Sequence, residues 1–134
     1  MLTITKEFLF DAAHMLRREE LSDAENMEIF GKCSKIHGHT YRLQITVAGA
    51  VDENGMIIHF SNLKAMVKHH VVDRYDHSML NAQEEYAKLP PTAEVMVNYI
   101  FKTLARALGD EGLTLTAVTL FETPTSWATM TADA

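Results

Sequence analysis

Apolar and polar side chains alternate along several stretches of the chain, and these stretches predict the strands of a sheet. Between 41 and 47 the odd positions are apolar and the even positions are polar. A period of two residues is typical of a strand with one buried face. The pattern predicts a second strand over 36–48, and similar patterns predict a first strand over 2–10 and a late strand over 113–121.

The connection after the second strand carries the strongest short turn signal of the chain. Asn54-Gly55 favours a tight hairpin, and the mostly apolar run 56–60 follows it. We therefore expect a third strand over 56–60, paired with the second. The tail is expected to add a short edge strand around Trp127.

Two longer segments have the apolar period of an amphipathic helix. Ser61 is expected to cap the first, which ends near Arg74, and Thr92 is expected to cap the second, which ends at Gly109. Their apolar stripes are Leu63, Met66, Val67, His70 and Val71 in the first, and Val97, Ile100, Phe101, Leu104 and Leu108 in the second.

A shorter helix is predicted before the second strand. Ser22 and Glu25 have the spacing of a capping box, and Gly31 would end the helix that they begin. Apart from this short helix, the elements follow the order β-β-β-α-α-β. This order predicts an α+β fold with a largely antiparallel sheet.

Length and composition narrow the classes of function. The 134 residues suffice for a single domain over 1–134, and an apolar run of about 18 residues that would cross a membrane is absent. The N-terminal residues lack the features of a signal peptide, so we expect a cytoplasmic protein with no membrane partner. A net charge of −6 argues against nucleic acid as the partner.

A histidine pair at the start of the second strand predicts a metal site. His37 and His39 lie two residues apart on a strand and so project from the same face, and both can reach one ion at the distances of zinc–nitrogen bonds. His14 keeps the parity of Phe8 and Phe10 at the end of the first strand. It is therefore the natural third ligand.

Cys33 is the only cysteine of the chain, and it lies four residues before His37. A lone cysteine often serves as a small buried apolar residue. Here Lys32 and Lys35 flank it closely, and cations favour the thiolate form of a thiol. Two roles remain open from the spacing: a fourth metal ligand, or a base beside the metal.

Further candidate residues follow in the second half of the chain. Asp76 precedes His77, so the pair is either a solvated turn or an acid–base element in which the carboxylate holds the imidazole. Glu122, at the end of a strand, is either a polar edge residue or an acceptor for a planar heterocycle. Thr92 and Glu94 are explained by helix capping and the helix dipole alone.

Five motifs, in this order, resemble those of the family of 6-pyruvoyl-tetrahydropterin and 6-carboxytetrahydropterin synthases. The resemblance covers nearly the whole chain. Each motif alone is weak evidence for the family, but five motifs in the same order and spacing are specific. The motifs are Phe10-x-Ala12-Ala13-His14, Cys33-x3-His37-Gly38-His39, Asp76-His77-x2-Leu80-Asn81, Pro91-Thr92-Ala93-Glu94 and Phe121-Glu122-Thr123.

The resemblance implies roles for the matching residues. By this resemblance the zinc ligands are His14, His37 and His39, the proton-abstracting base is Cys33, the second acid–base element is Asp76 with His77, the anchor of the pterin ring is Glu122, and Thr92 and Glu94 lie close to its pocket. It also implies the T-fold, with two helices on one face of a four-stranded antiparallel sheet. Two stacked trimers would form a homohexamer with active sites between subunits.

The reaction implied is a zinc-dependent lyase step on 7,8-dihydroneopterin triphosphate with loss of triphosphate. The 6-carboxy enzymes of the queuosine pathway also release acetaldehyde, whereas the 6-pyruvoyl enzymes of tetrahydrobiopterin-type pathways do not. Three residues separate Cys33 from His37, which resembles the 6-carboxy branch, as does the segment 122–128. The segment 21–33 instead resembles the 6-pyruvoyl branch. We favour the 6-carboxy interpretation.

Two positions depart from the family pattern, and two other classes of function remain. His59 stands where the family usually has Asp or Asn, and Met130 lies near the position where the family usually has a tyrosine.

The alternatives come from two other classes of function. A catalytically silent zinc- or pterin-binding module would not need Cys33 or the Asp76-His77 pair. A T-fold aldolase acting on dihydroneopterin would not need zinc.

Overall fold

A five-stranded sheet organises the chain, and the computed structural model describes residues 1–133. The strands are β1 Thr3–His14, β2 His37–Ala48, β3 Ser78–Met79, β4 Thr114–Thr123 and β5 Ser126–Thr131. Their spatial order is β3-β1-β2-β4-β5. Strands β1, β2, β4 and β5 pair antiparallel, and two-residue β3 pairs parallel with β1. The predicted four-stranded antiparallel sheet is confirmed, with β3 as an addition.

The helices agree with the apolar periodicity. Their bounds are α1 Asp23–Phe30, α2 Phe60–Val67, α3 Asp73–Tyr75 and α4 Ala93–Gly109, and a π-helical turn, Lys68–Val72, joins α2 to α3 in one helical segment. This segment and α4 bury their apolar faces in the core on one face of the sheet, as predicted. The opposite face of the sheet is more exposed and carries polar residues such as Thr5, Glu7 and Thr40.

Local capping explains where three of the helices begin. The Ser22 hydroxyl and the Glu25 carboxylate form both hydrogen bonds of the predicted capping box at α1. The Thr92 hydroxyl accepts a hydrogen bond from the Val95 N–H at 3.1 Å, which confirms the predicted cap of α4. The cap of α2 differs from the prediction: His59 accepts from the Ser61 N–H at 3.0 Å, and the helix begins at Phe60.

The predicted third strand over 56–60 is wrong. Residues 53–59 form turns and bends, and the fourth antiparallel strand is β5 in the tail. The Asp52 carboxylate accepts hydrogen bonds from the N–H groups of Asn54 and Met56, at 2.8 and 3.0 Å. These bonds close a compact loop, so the segment leads directly into the helix cap at His59 instead of returning along β2.

The π-helical turn changes which residues the middle helical segment buries. Leu63, Val67 and Val71 lie in the core as predicted, but Met66 and His70 are only partly buried. Val72 and Tyr75 are buried instead. A π turn inserts one residue into the helical period, so the buried face continues one position later than the sequence predicts.

Candidate active site

The register of β1 against β2 brings three histidines together at one end of the sheet. His14 lies directly opposite His37 in the antiparallel pair, and His39 follows two residues later on the same face. One ring nitrogen of each lies within 4.8 Å of the others. The three histidines predicted from parity and spacing are thus brought into one cluster, on the face of the sheet that the helices cover.

Backbone carbonyl groups fix the orientation of two of these rings. His14 Nδ1 lies 2.9 Å from the Pro91 carbonyl oxygen, and His37 Nδ1 lies 2.8 Å from that of Lys35. Because a carbonyl oxygen only accepts, each Nδ1 carries the proton and donates. The unprotonated Nε2 atoms therefore remain as electron-pair donors, which is the arrangement of histidine ligands in metal sites.

Burial favours the neutral form of two of these imidazoles, those of His14 and His39. The His14 side chain is fully buried, and this burial lowers its pKa to about 4, with the Pro91 carbonyl opposing the shift and His37 and His39 adding to it. Burial also lowers the pKa of His39. Neutral imidazole is the form that binds a metal ion.

The donor set fits a transition-metal ion. Within residues 1–133, His14 Nε2 and His39 Nε2 are buried without a hydrogen-bond partner. A buried polar atom without a partner is costly, and an ion bound by the three nitrogens would remove that cost. Three imidazole ligands suit zinc, copper, iron or nickel, and a three-ligand zinc site keeps a position for substrate.

Glu122 lies beside this cluster. Its Oε1 atom is 3.7 Å from His14 Nε2 and 3.9 Å from His39 Nε2, and 26% of the side chain is exposed. Glu122 also borders an open cleft together with Arg42 and Phe121, whose guanidinium carbon and ring centroid are 4.0 Å apart. The carboxylate is thus positioned between the histidine cluster and a cleft that an aromatic side chain lines.

Asp76 and His77 form a second cluster, next to β3. His77 Nδ1 lies 3.0 Å from Asp76 Oδ1, and both side chains are exposed. The backbone of Asp11 holds the pair: its N–H donates to Asp76 Oδ1 at 2.9 Å, and its carbonyl accepts from the His77 N–H at 2.6 Å. The Asp11 N–H and the neighbouring His77 lower the pKa of Asp76, so this carboxyl is ionised at neutral pH.

An open cleft is lined by one residue of each cluster. It has a volume of about 650 Å³, and its lining includes His39 from the first cluster and His77 from the second. Asp11 and Thr40 also line it, and the Thr40 hydroxyl donates to Asp11 Oδ1. His77 adopts a φ of 59°, which is uncommon outside glycine. The backbone contacts to Asp11 stabilise that conformation.

Cys33 is exposed and lies in the 3-10 turn Gly31–Ser34 that follows α1. Its carbonyl accepts a hydrogen bond from the Leu16 N–H at 2.7 Å, which ties this turn to the segment directly after β1. Among the described residues, the thiol is outside the group of nitrogens formed by the three histidines. The interpretation of Cys33 as a fourth ligand therefore lacks the geometric support that the histidines have.

The remaining candidate residues have simple structural roles. Thr92 caps α4, and Glu94 is exposed in its first turn. Arg17 pairs with Asp23 at 3.0 Å and with Glu19 at 3.3 Å.

Other basic side chains before β2 also lie on the surface. Arg18 pairs with Glu20 at 2.6 Å, and Lys32 and Lys35 are exposed.

Several supporting groups could not be identified from the sequence. The Pro91 carbonyl is 77 residues away from His14 in the chain, and backbone acceptors leave no sequence signal. The Tyr41 hydroxyl lies 3.3 Å from His14 Nδ1, and its place in the strand alternation predicted only that it faces the same side. Asp11 lies within the first motif but on the opposite face of β1, so parity argued against a role.

Comparisons with known proteins show the family to which the chain belongs. The family described as 6-pyruvoyl tetrahydropterin synthase matches residues 3–133. A 6-pyruvoyl tetrahydrobiopterin synthase of Drosophila melanogaster is 38% identical over 125 residues, which are 90% of this chain and 74% of that protein. A 6-carboxy-5,6,7,8-tetrahydropterin synthase of Haemophilus influenzae is 34% identical and covers 95% of this chain and 96% of its own length.

Solved structures extend the likeness to the fold. The structure of Caenorhabditis elegans 6-pyruvoyl tetrahydropterin synthase superposes with a TM-score of 0.88 at 34% identity, over 98% of this chain and 96% of that one. The enzyme of Plasmodium falciparum, at 19% identity, shares the fold with a TM-score of 0.67, over 96% of each chain. In the described residues, no helix is long and apolar enough to cross a membrane. This chain is thus a member of the 6-pyruvoyl tetrahydropterin synthase family of pterin synthases.

Proposed function

We propose that this protein is a zinc-dependent lyase that acts on 7,8-dihydroneopterin triphosphate, with loss of triphosphate and release of acetaldehyde. This is the reaction of a 6-carboxytetrahydropterin synthase. The observation that carries the proposal is the convergence of three imidazoles beside a carboxylate that borders a cleft. Family membership supplies the pterin chemistry, and the histidines supply the metal site.

His14, His37 and His39 would hold the ion. A bound zinc ion would polarise hydroxyl groups of the substrate side chain and stabilise negative charge that develops on them. The carbonyls of Pro91 and Lys35 keep two of the rings in the required tautomer, because each accepts the Nδ1 proton. The site therefore needs little rearrangement to bind the ion.

Cys33 would take a proton from the substrate side chain. Its exposure supports this role, since a buried thiol would be out of reach of substrate. Asp76 would hold the His77 imidazole through the 3.0 Å contact, so that His77 exchanges protons with the other side of the substrate.

Glu122 would recognise the pterin ring. Its two carboxylate oxygens can accept hydrogen bonds from adjacent ring and amino N–H groups. Thr92 and Glu94 would lie close to this ring, because Thr92 directly follows Pro91, whose carbonyl contacts His14.

The alternative within the family is the 6-pyruvoyl product. Relatives of both kinds match this chain over most of its length, so similarity alone does not choose between them. The spacing of three residues between Cys33 and His37, which resembles the 6-carboxy branch, is the reason for our choice. A silent binding module is disfavoured by the Asp76-His77 contact, which binding alone does not need.

The proposal includes a cytoplasmic homohexamer made of two trimers, with active sites between subunits. Leu9 and Trp127 support an assembly, because these large apolar side chains are 62% and 57% exposed. The Asp76-His77 pair is also exposed and could complete the site of a neighbouring subunit.

A product analysis tests the proposed reaction. Purified protein loaded with zinc is incubated with 7,8-dihydroneopterin triphosphate, and triphosphate and acetaldehyde are measured together. We expect both products, and their loss with Cys33→Ala or after chelation of the metal. Triphosphate without acetaldehyde would assign the protein to the 6-pyruvoyl branch, and the absence of both would contradict the enzyme interpretation.

A further inference from the structure

The histidine cluster and Glu122 together form a set of groups that repel each other unless a cation lies among them. With their protons on Nδ1, His14 and His37 direct unshared electron pairs of Nε2 into the cluster. The Glu122 carboxylate, which also carries only acceptor atoms, approaches His14 and His39 to within 3.7 and 3.9 Å. A cation shared among these acceptors removes the repulsion between them.

These two distances place the Glu122 carboxylate within reach of an ion held by His14 and His39, although it lies outside the group of three histidine nitrogens that are within 4.8 Å of one another. Two donor atoms that bind the same zinc ion at 2.0–2.2 Å lie about 3.3 Å apart in a tetrahedral site. The Glu122 distances exceed this value by about half an ångström, which a small rotation of a flexible side chain covers. A carboxylate oxygen is an ordinary ligand of zinc beside imidazole.

We propose that Glu122 is an exchangeable fourth ligand, which binds the metal while the pterin pocket is empty and leaves it when a pterin binds. The inference rests on the proposed function, because it needs both a metal at the three histidines and a pterin at Glu122. A pterin ring that presents two adjacent N–H groups occupies both carboxylate oxygens. Oxygens that accept from the ring N–H groups are not available to the metal, so Glu122 binds either the ring or the metal.

This exchange would couple substrate recognition to metal reactivity. With the pocket empty, the ion has four protein ligands, which is the closed arrangement typical of structural zinc sites. When the ring takes Glu122, a position opens next to the substrate side chain. The ion is then available for chemistry only when the correct ring is bound.

The first test measures the metal in the absence of any pterin. The variants Glu122→Gln and Glu122→Ala are compared with wild type, with zinc affinity measured by chelator competition and the donor set by the visible absorption of the cobalt(II) protein. We expect at least tenfold weaker zinc binding and an altered cobalt spectrum in both variants. Glu53→Gln, which changes an exposed carboxylate in the turn after β2, is the matched control and should behave as wild type.

A second test separates a ligand from a mere neighbour. Acetate added to cobalt-loaded Glu122→Ala should restore a spectrum like that of wild type, because it can fill the position that the side chain left. The same acetate should leave the wild-type spectrum unchanged. An equal acetate response in wild type and variant would overturn the proposal.

A third test uses pterin itself, which lacks the side-chain hydroxyls. Added to the cobalt-loaded wild type, pterin should shift the spectrum towards that of Glu122→Ala. Pterin that binds without changing the spectrum would overturn the exchange. Pterin that does not bind would contradict the proposed function instead, while unchanged zinc affinity and spectrum in the Glu122 variants would contradict the ligand role whatever the substrate.

Discussion

The two histidine-bearing regions of this protein are built in opposite ways. His14, His37 and His39 come from paired strands, and the His14 side chain is fully buried while that of His39 is 19% exposed. His77 lies in a loop with 78% of its side chain exposed, beside Asp76 at 41%. One region is fixed by sheet register and packing, and the other by backbone hydrogen bonds to Asp11.

The difference indicates that the two regions suit different tasks, metal binding and proton transfer. Metal ligands must be neutral and held in position; burial lowers the pKa of His14 and of His39, and pairing of β1 with β2 holds all three histidines in position. An acid–base group must exchange protons with substrate, so the exposure of His77 suits that task. We therefore expect changes in the first region to affect metal binding, and changes in the second to affect turnover alone.

The largest effect is expected from removal of a metal ligand. His39→Ala should weaken zinc binding by more than the ~10–100-fold that loss of a supporting contact costs, and abolish turnover with it. Chelator competition and metal content measure the loss. His69→Ala changes an exposed histidine on the helical segment and is the control. Retained zinc in His39→Ala would contradict the metal site.

The second change addresses the exposed pair. His77→Ala should lower kcat by ~10²–10⁴-fold, the usual contribution of a general acid–base group, and leave zinc content unchanged. Asp76→Asn should act in the same direction, because the amide no longer holds the imidazole by charge. Loss of zinc in either variant would remove the distinction between the two regions.

Acid should destabilise the buried region in a predictable range of pH. In the metal-free protein the folded state holds the His14 pKa at about 4, against 6.5 in the unfolded chain. As the pH falls, the unfolded chain takes up a proton on His14 at a higher pH than the folded protein does. The contribution of His14 to the free energy of unfolding is therefore complete above pH 6.5 and is lost as the pH decreases towards 4. The gap corresponds to ~3 kcal/mol at about 1.4 kcal/mol per pH unit.

Urea unfolding of metal-free protein between pH 7 and pH 4 measures this effect. Much of the decline should disappear in His14→Gln, which cannot take up the proton. An equally steep decline in that variant would show that other groups cause it.

The smallest effect is expected from a change in the residues that directly precede the Asp76-His77 pair. Arg74 and Tyr75 directly precede Asp76, and both bind Glu85: Arg74 Nη2 lies 2.7 Å from Oε1, and the Tyr75 hydroxyl donates to Oε2 at 2.6 Å. Tyr75→Phe removes the hydroxyl and should lower the free energy of unfolding by ~1–2 kcal/mol.

Thermal and urea unfolding measure the effect of Tyr75→Phe. Zinc affinity should not change, because the hydroxyl contacts Glu85 and Tyr86 and none of the three histidines. A loss of zinc affinity would show that the two regions are coupled.

The sequence predicted the elements whose signals are local. Alternation placed β1, β2 and β4, the capping box placed α1, and Thr92 marked the start of α4. The prediction of a third strand was wrong. Asn54-Gly55 is a typical signal of a hairpin turn, but here the Asp52 carboxylate accepts hydrogen bonds that close a loop. Ser61 was a reasonable cap by residue type, but His59 offers a ring nitrogen that does the same work.

In the candidate site, too, some features follow from local sequence signals and others from long-range packing. Parity along two strands was enough to predict that His14, His37 and His39 share a face, because the side-chain period of a strand is fixed by its backbone. The Pro91 carbonyl, the distance from Glu122 to the cluster and the contacts of Asp11 depend on how distant segments pack. Sequence by itself thus determined which residues can bind a metal, and the tertiary structure alone decided their tautomers, their burial and their neighbours, since these arise from contacts between residues far apart in the chain.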